Sequence, residues 1–396
     1  MMADDGKVVH FPVKLRKYRF KPEIQIPRRP WLMRGLLLRS QVSAIIAAGS
    51  VGKSSFGLTV ALHLCAGRTF GPFACTQTLK VAVLSVEEDD DELDRRLAAI
   101  RRQFDFTQDD ADRLFIISTV DAPLLASADR RGAIHRTEVA KQLENLMMLE
   151  GIDVVIVDPF IEVWQGAEND NSQVRAAAAV IRDMARHMNA AVLLMHHVRK
   201  GVITPGDIDA ARGGSSLAGL VRIAYTMTRM TKEDAALFGL TSHKGLVRLD
   251  GAKANYLADP ENAQWLKFHD IQLENGDDEL GIHGDHVGTL KPWAPPGLFD
   301  AITYDAINDC LDAITKGPGD YQRYAFAAQA KDRWVGTAIM EQFDITEERA
   351  ARILKSWKKS GLLFEQDYVG DKSRLRKGVF VNDDKRPSAT SEDIEE

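Results

Sequence analysis

A short run of glycine, serine and lysine residues has the spacing that binds phosphate groups. The apolar run Val42–Ala47 leads into residues 48–54, A-G-S-V-G-K-S, and a helical pattern follows at once. In such a P-loop, backbone N–H groups surround the β-phosphate, the lysine reaches the β and γ oxygens, and the hydroxyl holds Mg²⁺. Lys53 and Ser54 suit those roles, although Ala47 replaces the usual first glycine. The predicted ATP-binding residues here are Ala48, Gly49, Ser50, Val51, Gly52, Lys53, Ser54 and Ser55.

An aspartate at the end of a second apolar run is the expected partner of this loop. Residues 154–157, V-V-I-V, run directly into Asp158, well downstream of Lys53. In folds of this kind, a carboxylate at the tip of a buried strand lies beside the P-loop and binds Mg²⁺ through water. We therefore predict that Asp158 also contacts the nucleotide site and that Ser54 and Asp158 bind the metal.

Strands and helices alternate around these two motifs. Apolar runs typical of strands buried on both faces occur at 79–86, 114–118, 153–158 and 190–195. Helical patterns lie between them, and one has apolar positions at Val139, Leu143, Leu146 and Met147. The alternation predicts an α/β fold with a parallel, doubly wound sheet.

Changes in composition predict five regions along the 396 residues. They are a basic lead-in at 1–30, the ATPase core at 31–274, a linker at 275–298, a smaller domain at 299–382 and an acidic, disordered tail at 383–396. The smaller domain has helical patterns near 299–315, 321–331, 335–342 and 346–360, followed by two strand candidates. Helices followed by a two-stranded ribbon with a basic tip predict a winged-helix-like α+β domain.

The composition is that of an ordinary soluble protein, with 45% hydrophobic and 27% charged residues. No apolar run approaches the roughly 20 residues that span a bilayer, which predicts no membrane association. Cys65, Cys75 and Cys310 are scattered and are expected to be reduced in a cytoplasmic protein. The net charge of −6 excludes a uniformly basic surface, so any contact with nucleic acid must be local.

Two segments outside the core are locally basic. Residues 1–29 interleave lysines and arginines with aromatic residues, and they are either a lead-in lying on the core or a nucleic-acid-binding arm. In the C-terminal region, a basic helix also carries Arg349 and Arg352, and a basic hairpin tip follows it. The predicted DNA-binding residues there are Lys355, Lys358, Lys359, Arg374 and Arg376. A recognition helix with a wing is one interpretation, and a solvated face or a protein-docking module is the other.

The motifs, taken in order, resemble a known family. They are A-A-G-S-V-G-K-S-S, S-V-E-E-D, V-V-I-V-D-P-F, A-V-L-L-M-H-H-V-R-K and R-G-G-S-S-L-A-G-L-V-R. This combination resembles the RecA-like P-loop ATPases of the plasmid RepA hexameric replicative helicase type, over about residues 31–270. The resemblance implies a RecA-like core that uses ATP and Mg²⁺, assembles with itself into a ring, expected to be a hexamer, and binds single-stranded DNA.

The resemblance also implies roles for residues at matching positions. Glu87 matches the catalytic glutamate that polarises the attacking water, and Glu88 is the less favoured alternative. His196 matches the side chain that senses the γ-phosphate. Arg222 matches the arginine that enters the neighbouring subunit's nucleotide site, with Arg212 as the alternative. The predicted catalytic residues are therefore Glu87, Lys53, His196 and Arg222.

The loop after the strand at 190–195 is the expected DNA contact of the core. RecA-like rings point this loop into the central channel, so the resemblance implies that Arg199, Lys200 and Arg212 bind DNA. Contacts of this kind go to phosphates, and binding is then largely independent of sequence and sensitive to salt.

Three functions follow as hypotheses. The leading one is an ATP-dependent, ring-forming helicase or translocase on single-stranded DNA, in the replication of a plasmid, phage or mobile element. Its C-terminal domain could contact replication proteins. The second is a DNA-dependent ATPase that remodels, loads a helicase or forms a recombinase-like filament without unwinding. The third is a winged-helix DNA-binding regulator whose oligomeric state ATP controls.

Overall fold

The computed structural model describes residues 17–118, 125–167, 170–198, 204–208, 218–256, 263–277, 279–300, 302–370 and 374–387. The first half of the chain contains β1 (Trp31–Met33), β2 (Leu37–Leu38), β3 (Val42–Ala47), α1 (Lys53–Ala66), β4 (Val81–Ser85), α2 (Asp90–Phe104), α3 (Gln108–Ala111), β5 (Leu114–Ser118), β6 (Ala126–Ala128), β7 (Ile134–Arg136), α4 (Glu138–Glu150), β8 (Val154–Asp158), β9 (Trp164–Gln165), α5 (Asn171–His187) and β10 (Ala191–His197). The second half contains β11 (Ile223–Arg229), α6 (Lys232–Leu237), β12 (Leu246–Ala254), β13 (Gln264–Gln272), β14 (His286–Trp293), α7 (Tyr304–Lys316), α8 (Val335–Phe343), α9 (Glu347–Ser360), β15 (Leu363–Val369) and β16 (Leu375–Val381).

A nine-stranded sheet organises the larger part of the molecule. Its order is β14-β13-β12-β11-β3-β10-β8-β4-β5. The strands from β11 to β5 in this order pair in parallel. The strands β12, β13 and β14 extend one edge with antiparallel pairs. The mostly parallel α/β sheet agrees with the predicted fold class and is consistent with a RecA-like core.

Both faces of the parallel strands are buried, because successive side chains point to opposite faces. On one face, which we call the α1 face, Ile45 and Ile156 pack with α1 and α2. On the other face, Ile46 and Val157 pack with α4 and α5. Helix α1 is apolar almost all round, and 12 of its 14 residues are buried, since it lies between the sheet, α2 and the edge strand β14. The sheet is therefore covered on both faces, as a doubly wound fold requires.

Strand β14 corrects the predicted linker at 275–298. Residues His286–Trp293 pair with β13 along its length, from His286 opposite Gln272 to Trp293 opposite Trp265. Leu290 is fully buried there. The glycine, histidine and proline residues around β14 concealed the strand, because pairing with β13 and packing on α1 stabilise it rather than its own propensity.

Helix α4 turns a different side towards the core than its apolar spacing predicts. Ala140 and Met147 are buried, whereas Val139 and Leu146 are 47% and 60% exposed. The core beneath α4 is formed by the β-strands and by α5, and the small Ala140 lets the helix approach it closely. The apolar residues on the outer side of α4 thus remain on the surface.

The C-terminal region has a core of its own. Helices α7–α9 and the hairpin β15–β16 enclose buried residues that include Cys310, Trp357 and Val379. The helix predicted at 321–331 is absent; the structure has only a 3₁₀ segment at Ala328–Arg333, which Lys331 interrupts with a φ of 51°. The winged-helix assignment of this region stays a prediction. Across all described segments, no helix has the length and apolar character needed to cross a bilayer.

Candidate nucleotide-binding site

The P-loop connects β3 to α1 with the backbone geometry that a phosphate cradle needs. Gly52 precedes the helix at a φ of 103°, a left-handed conformation that favours glycine. A Cβ atom at this position would lie 2.5 Å from the Phe268 ring, so space also requires glycine. Lys53 is 6% exposed, and its ammonium group donates to the carbonyl oxygens of Ala48 at 3.0 Å and Ala47 at 3.5 Å. The loop, its lysine and the start of α1 are therefore arranged as the motif predicts.

Asp158 lies beside the P-loop, on the α1 face of the sheet. Its carboxylate is 7% exposed and accepts a hydrogen bond from the Ser54 hydroxyl. One of its oxygens, Oδ1, is buried and has no hydrogen-bond partner among the residues that the structure describes. Burial raises the pKa of Asp158, which the Ser54 hydrogen bond and the nearby Lys53 partly offset. A buried carboxylate oxygen next to a hydroxyl suits Mg²⁺, which prefers oxygen ligands.

Glu87 and Lys53 are linked through a histidine. Nε2 of His197 lies 3.5 Å from the Glu87 carboxylate, and its Nδ1 lies 3.2 Å from the Lys53 ammonium group. Burial and the charge of Lys53 lower the pKa of His197, while Glu87 and Asp158 act in the opposite direction. Burial likewise lowers the pKa of Lys53, against the attraction of Asp158 and Glu87. A neutral imidazole therefore joins a half-exposed glutamate to the P-loop lysine.

His196, the predicted sensor, points to the opposite face of the sheet. It is 1% exposed, and its ring lies 5.6 Å from that of Phe160. The residue at the nucleotide site is instead its neighbour His197, which the sequence analysis did not select. Both faces of β10 are apolar, so no signal in the sequence tells which parity of the strand faces α1. The pairing of His197 with Ala47 in the sheet decides it.

Glu88 also points towards this site. It lines a small cavity together with Ser54 and Asp158. Arg96 of α2 forms an ion pair with it at 2.7 Å, while its Oε2 is buried without a hydrogen-bond partner among the described residues. Burial raises the pKa of Glu88 despite the attraction of Arg96. The structure thus brings Glu87 to His197 and Glu88 to the Ser54–Asp158 side.

The two arginines at the ends of β11 lie on opposite edges of the sheet. Arg222 lies at the start, where its N–H donates to the carbonyl of Val42 at 3.1 Å. Because the P-loop follows the other end of the six-residue strand β3, Arg222 is roughly 17 Å from its own loop. Arg229 lies at the P-loop edge, where its guanidinium donates to the carbonyl of Ser50. The sequence analysis missed Arg229, because β11 carries no motif at that end.

The predicted DNA-binding residues of the core, Arg199, Lys200 and Arg212, lie outside the described residues. In the C-terminal region, Lys355, Lys358, Lys359 and Arg374 are predicted DNA contacts, and most of this set is exposed, with Arg376 partly exposed. Two other arginines of α9 contact the rest of the molecule. Arg352 donates to the carbonyl of Leu237 at 2.6 Å, and Arg349 donates to that of Asp300 at 2.8 Å. The start of α9 therefore docks on the core side, and its end remains accessible.

Comparison with known proteins reveals a relationship for the P-loop region. Residues 14–202 match a family described as AAA domain. Among solved structures, the structure of a DnaB-like replicative helicase and its interactions with primase is similar, with 16% sequence identity and a TM-score of 0.40. That similarity covers 58% of this chain and 56% of that chain, so the chain spans little more than half of that helicase.

No curated protein matches the chain. The family match covers β3, the P-loop, Glu87, Asp158 and β10, which are the elements of the site described above. Residues 14–202 therefore contain a P-loop ATPase domain that is similar to the AAA domain family.

Proposed function

We propose that the protein hydrolyses ATP at this site with the help of Mg²⁺. One observation carries the proposal: Lys53, Asp158 and Glu87 converge at the end of the parallel strands where the P-loop begins α1. Ligands of open α/β sheets bind at this carboxyl edge. Bound Mg²⁺, held by Ser54 and Asp158, would supply neutralisation of phosphate charge.

The side chains divide the remaining work. Lys53 leaves the carbonyls of the P-loop to pair with phosphate oxygens. Glu87 orients and polarises the attacking water. His197, which contacts both of them, holds Glu87 in position and responds when Lys53 moves to the phosphates. Strand β10 ends at His197 and continues towards Arg199 and Lys200, so nucleotide occupancy can alter the loop that follows.

We further propose that the protein acts as a ring on single-stranded DNA and moves along it. The order of motifs in residues 31–270 supports this proposal, as does the distance of Arg222 from its own P-loop. An arginine that cannot reach the nucleotide of its own chain is suited to a neighbour's site. The loop carrying Arg199, Lys200 and Arg212 would contact DNA phosphates.

The regulator hypothesis is less well supported. A recognition helix needs an accessible N-terminal half, whereas Arg349 and Arg352 near the start of α9 contact Asp300 and Leu237. Lys355 and Lys359 stay further along the helix as candidates for DNA, and partners in replication could bind the same surface.

The test is ATP hydrolysis with and without single-stranded DNA, with molecular mass followed by light scattering. We expect DNA to stimulate hydrolysis by a ring-sized assembly, and Lys53→Ala to abolish it. Stimulation would justify a strand-displacement assay, which separates a helicase from a remodeller or loader. Hydrolysis that ignores DNA, together with base-specific duplex binding that survives Lys53→Ala, would favour the regulator instead. A wild-type protein without any ATP hydrolysis would refute the proposal.

A further inference from the structure

The segment that precedes the first strand carries large apolar side chains that are mostly exposed. We call residues 17–29 the N-terminal arm. Phe20 and Ile24 are each 94% exposed, Tyr18 is 66% exposed and Ile26 is 55% exposed. Exposing side chains of this size costs free energy that burial would recover, at about 1.5–3 kcal/mol for each one buried fully. Clustered exposure of this kind marks a binding surface.

A second surface of the same kind lies on α4. Leu149 is 81% exposed, Leu146 is 60%, Met148 is 53% and Val139 is 47%. We call these four residues the α4 stripe. Leu146 and Leu149 are three positions apart and therefore lie on the same side of the helix. The stripe is the outer side of α4, away from Ala140 and Met147 in the core.

The two surfaces differ in charge. The arm contains five basic residues and one acidic one, in the order Lys17, Arg19, Lys21, Glu23, Arg28 and Arg29. On α4, Lys141 forms an ion pair with Glu138 at 2.9 Å, and the exposed Glu150 ends the helix beside Leu149. The last turn contains no basic residue, and the final carbonyl groups of a helix carry partial negative charge. The stripe thus borders an acidic helix end, which complements a basic arm and can fix its register.

The arm and the stripe lie on different parts of the molecule. The arm is held where Arg29 stacks on Tyr256 at 5.4 Å, just beyond the end of β12. Helix α4 leads into β8, which is four strand positions from β12 in the sheet order. At a strand spacing of about 4.8 Å, these points are roughly 19 Å apart across the sheet.

We propose that the N-terminal arm of one copy binds the α4 stripe of a second copy, so that the chains associate head to tail. A contact between two different surfaces is heterologous, and repeating it produces a closed ring or an open filament. The inference deepens the proposed self-assembly and rests on it, because it names the surfaces that join the subunits. It gives the basic arm a protein partner instead of DNA.

Two double variants test the contact in the full-length protein. The arm variant carries Phe20→Glu and Ile24→Glu, and the stripe variant carries Leu146→Glu and Leu149→Glu. All four side chains are exposed, so folding is expected to be unaffected. We expect light scattering, with and without Mg-ATP, to show a large assembly for the wild type and monomers for each variant. A control variant, Leu280→Glu, changes a 72% exposed residue elsewhere and is expected to assemble normally.

Mixing the two variants gives a sharper result. An arm variant still has an intact stripe, and a stripe variant still has an intact arm, so each pair can form one contact and no more. We expect the equimolar mixture to contain particles of twice the monomer mass and nothing larger. Monomers in the mixture would overturn the proposal, as would large assemblies of either variant alone or a monomeric wild type.

A disulfide trap gives independent confirmation. Ile24→Cys combined with Leu149→Cys is expected to form ladders of cross-linked chains on oxidation, and neither single variant should do so. The three native cysteines are buried and do not interfere. A cross-link confined to one chain would overturn the proposal. ATP hydrolysis measured on the same samples separates the two proposals, because assembly without hydrolysis contradicts the proposed function alone, and hydrolysis with arm-independent assembly contradicts this contact alone.

Discussion

His197 occupies the position from which a single side chain can connect the P-loop to the glutamate. It contacts Lys53 on one side and Glu87 on the other, and its pKa is lowered by burial and by Lys53. His196, one residue earlier, packs against Phe160 in the other core. The two neighbours therefore form a matched pair for separating a role in the site from a role in stability.

We expect His197→Ala to reduce kcat by about 10- to 100-fold, the effect of losing one hydrogen bond to a charged group. Its free energy of unfolding should change little. His196→Ala is expected to show the reverse pattern, with a loss of about 1–3 kcal/mol of stability and a smaller effect on kcat. Steady-state kinetics and urea denaturation of both variants make the comparison. Equal kcat losses in the two variants would contradict the assignment.

His63 predicts a pH dependence of stability. It is 4% exposed among aromatic rings of α1 and α2, and burial lowers its pKa from 6.5 to about 4. Between these values the unfolded chain binds a proton that the folded protein does not, so this contribution to stability is complete above pH 6.5 and declines as the pH falls towards 4. The full difference is about 3 kcal/mol.

His63→Gln removes the titrating group and can retain a hydrogen bond to the Thr59 carbonyl. We expect the wild type to be more stable at about pH 7.5, with the difference shrinking as the pH approaches 4. Urea denaturation of both proteins at several pH values measures it. A constant difference between the two proteins would show that His63 does not titrate as described.

At the scale of elements, β14 ties the end of the sheet to the nucleotide site. The carbonyl of Gly288 accepts a hydrogen bond from the Ser55 hydroxyl at 3.2 Å. Leu290 and Phe268 lie against Gly52, close enough to leave no space for a side chain there. An edge strand distant in sequence therefore supports the P-loop from the side.

We expect Leu290→Ala to destabilise the protein by about 2–5 kcal/mol, because Leu290 is fully buried and its removal leaves a cavity. Leu280→Ala, in the same segment but 72% exposed, should change stability by less than about 0.5 kcal/mol. Urea denaturation compares the two. Similar, small effects would mean that β14 contributes no more than a linker would.

At the scale of the whole molecule, one chain does not bring all the predicted catalytic residues together. Lys53, Glu87 and Asp158 meet at one edge of the sheet, and Arg222 lies at the other. The predicted role of Arg222 thus requires a second copy. The arm and the α4 stripe are the surfaces that we propose for bringing that copy into place.

Mixing inactive variants tests whether sites are shared. Arg222→Ala and Glu87→Gln are each expected to bind ATP and to hydrolyse almost none. In an equimolar mixed ring, roughly one quarter of the interfaces would combine an intact Glu87 with an intact Arg222, so hydrolysis should return to about that fraction. ATPase assays of the mixture measure it. No recovery, despite mixed assembly, would mean that Arg222 does not complete a neighbour's site.

The sequence by itself determined the parts whose signal is local. The P-loop, helix α1 and the strands ending in Asp158 and near Glu87 follow from glycine spacing, apolar runs and strand-end carboxylates. These patterns reflect backbone geometry and burial of the residues themselves, which need no distant partner to be recognised.

Tertiary structure alone decided the features that depend on register and pairing. The parallel pairing of β10 with β3 selected His197 over His196, and pairing with β13 made a strand of residues predicted to be a linker. The docking of α4 left Leu146 and Leu149 outside the core. A strand buried on both faces, an edge strand and a helix with apolar residues on two sides each admit more than one orientation, and only long-range packing chooses among them.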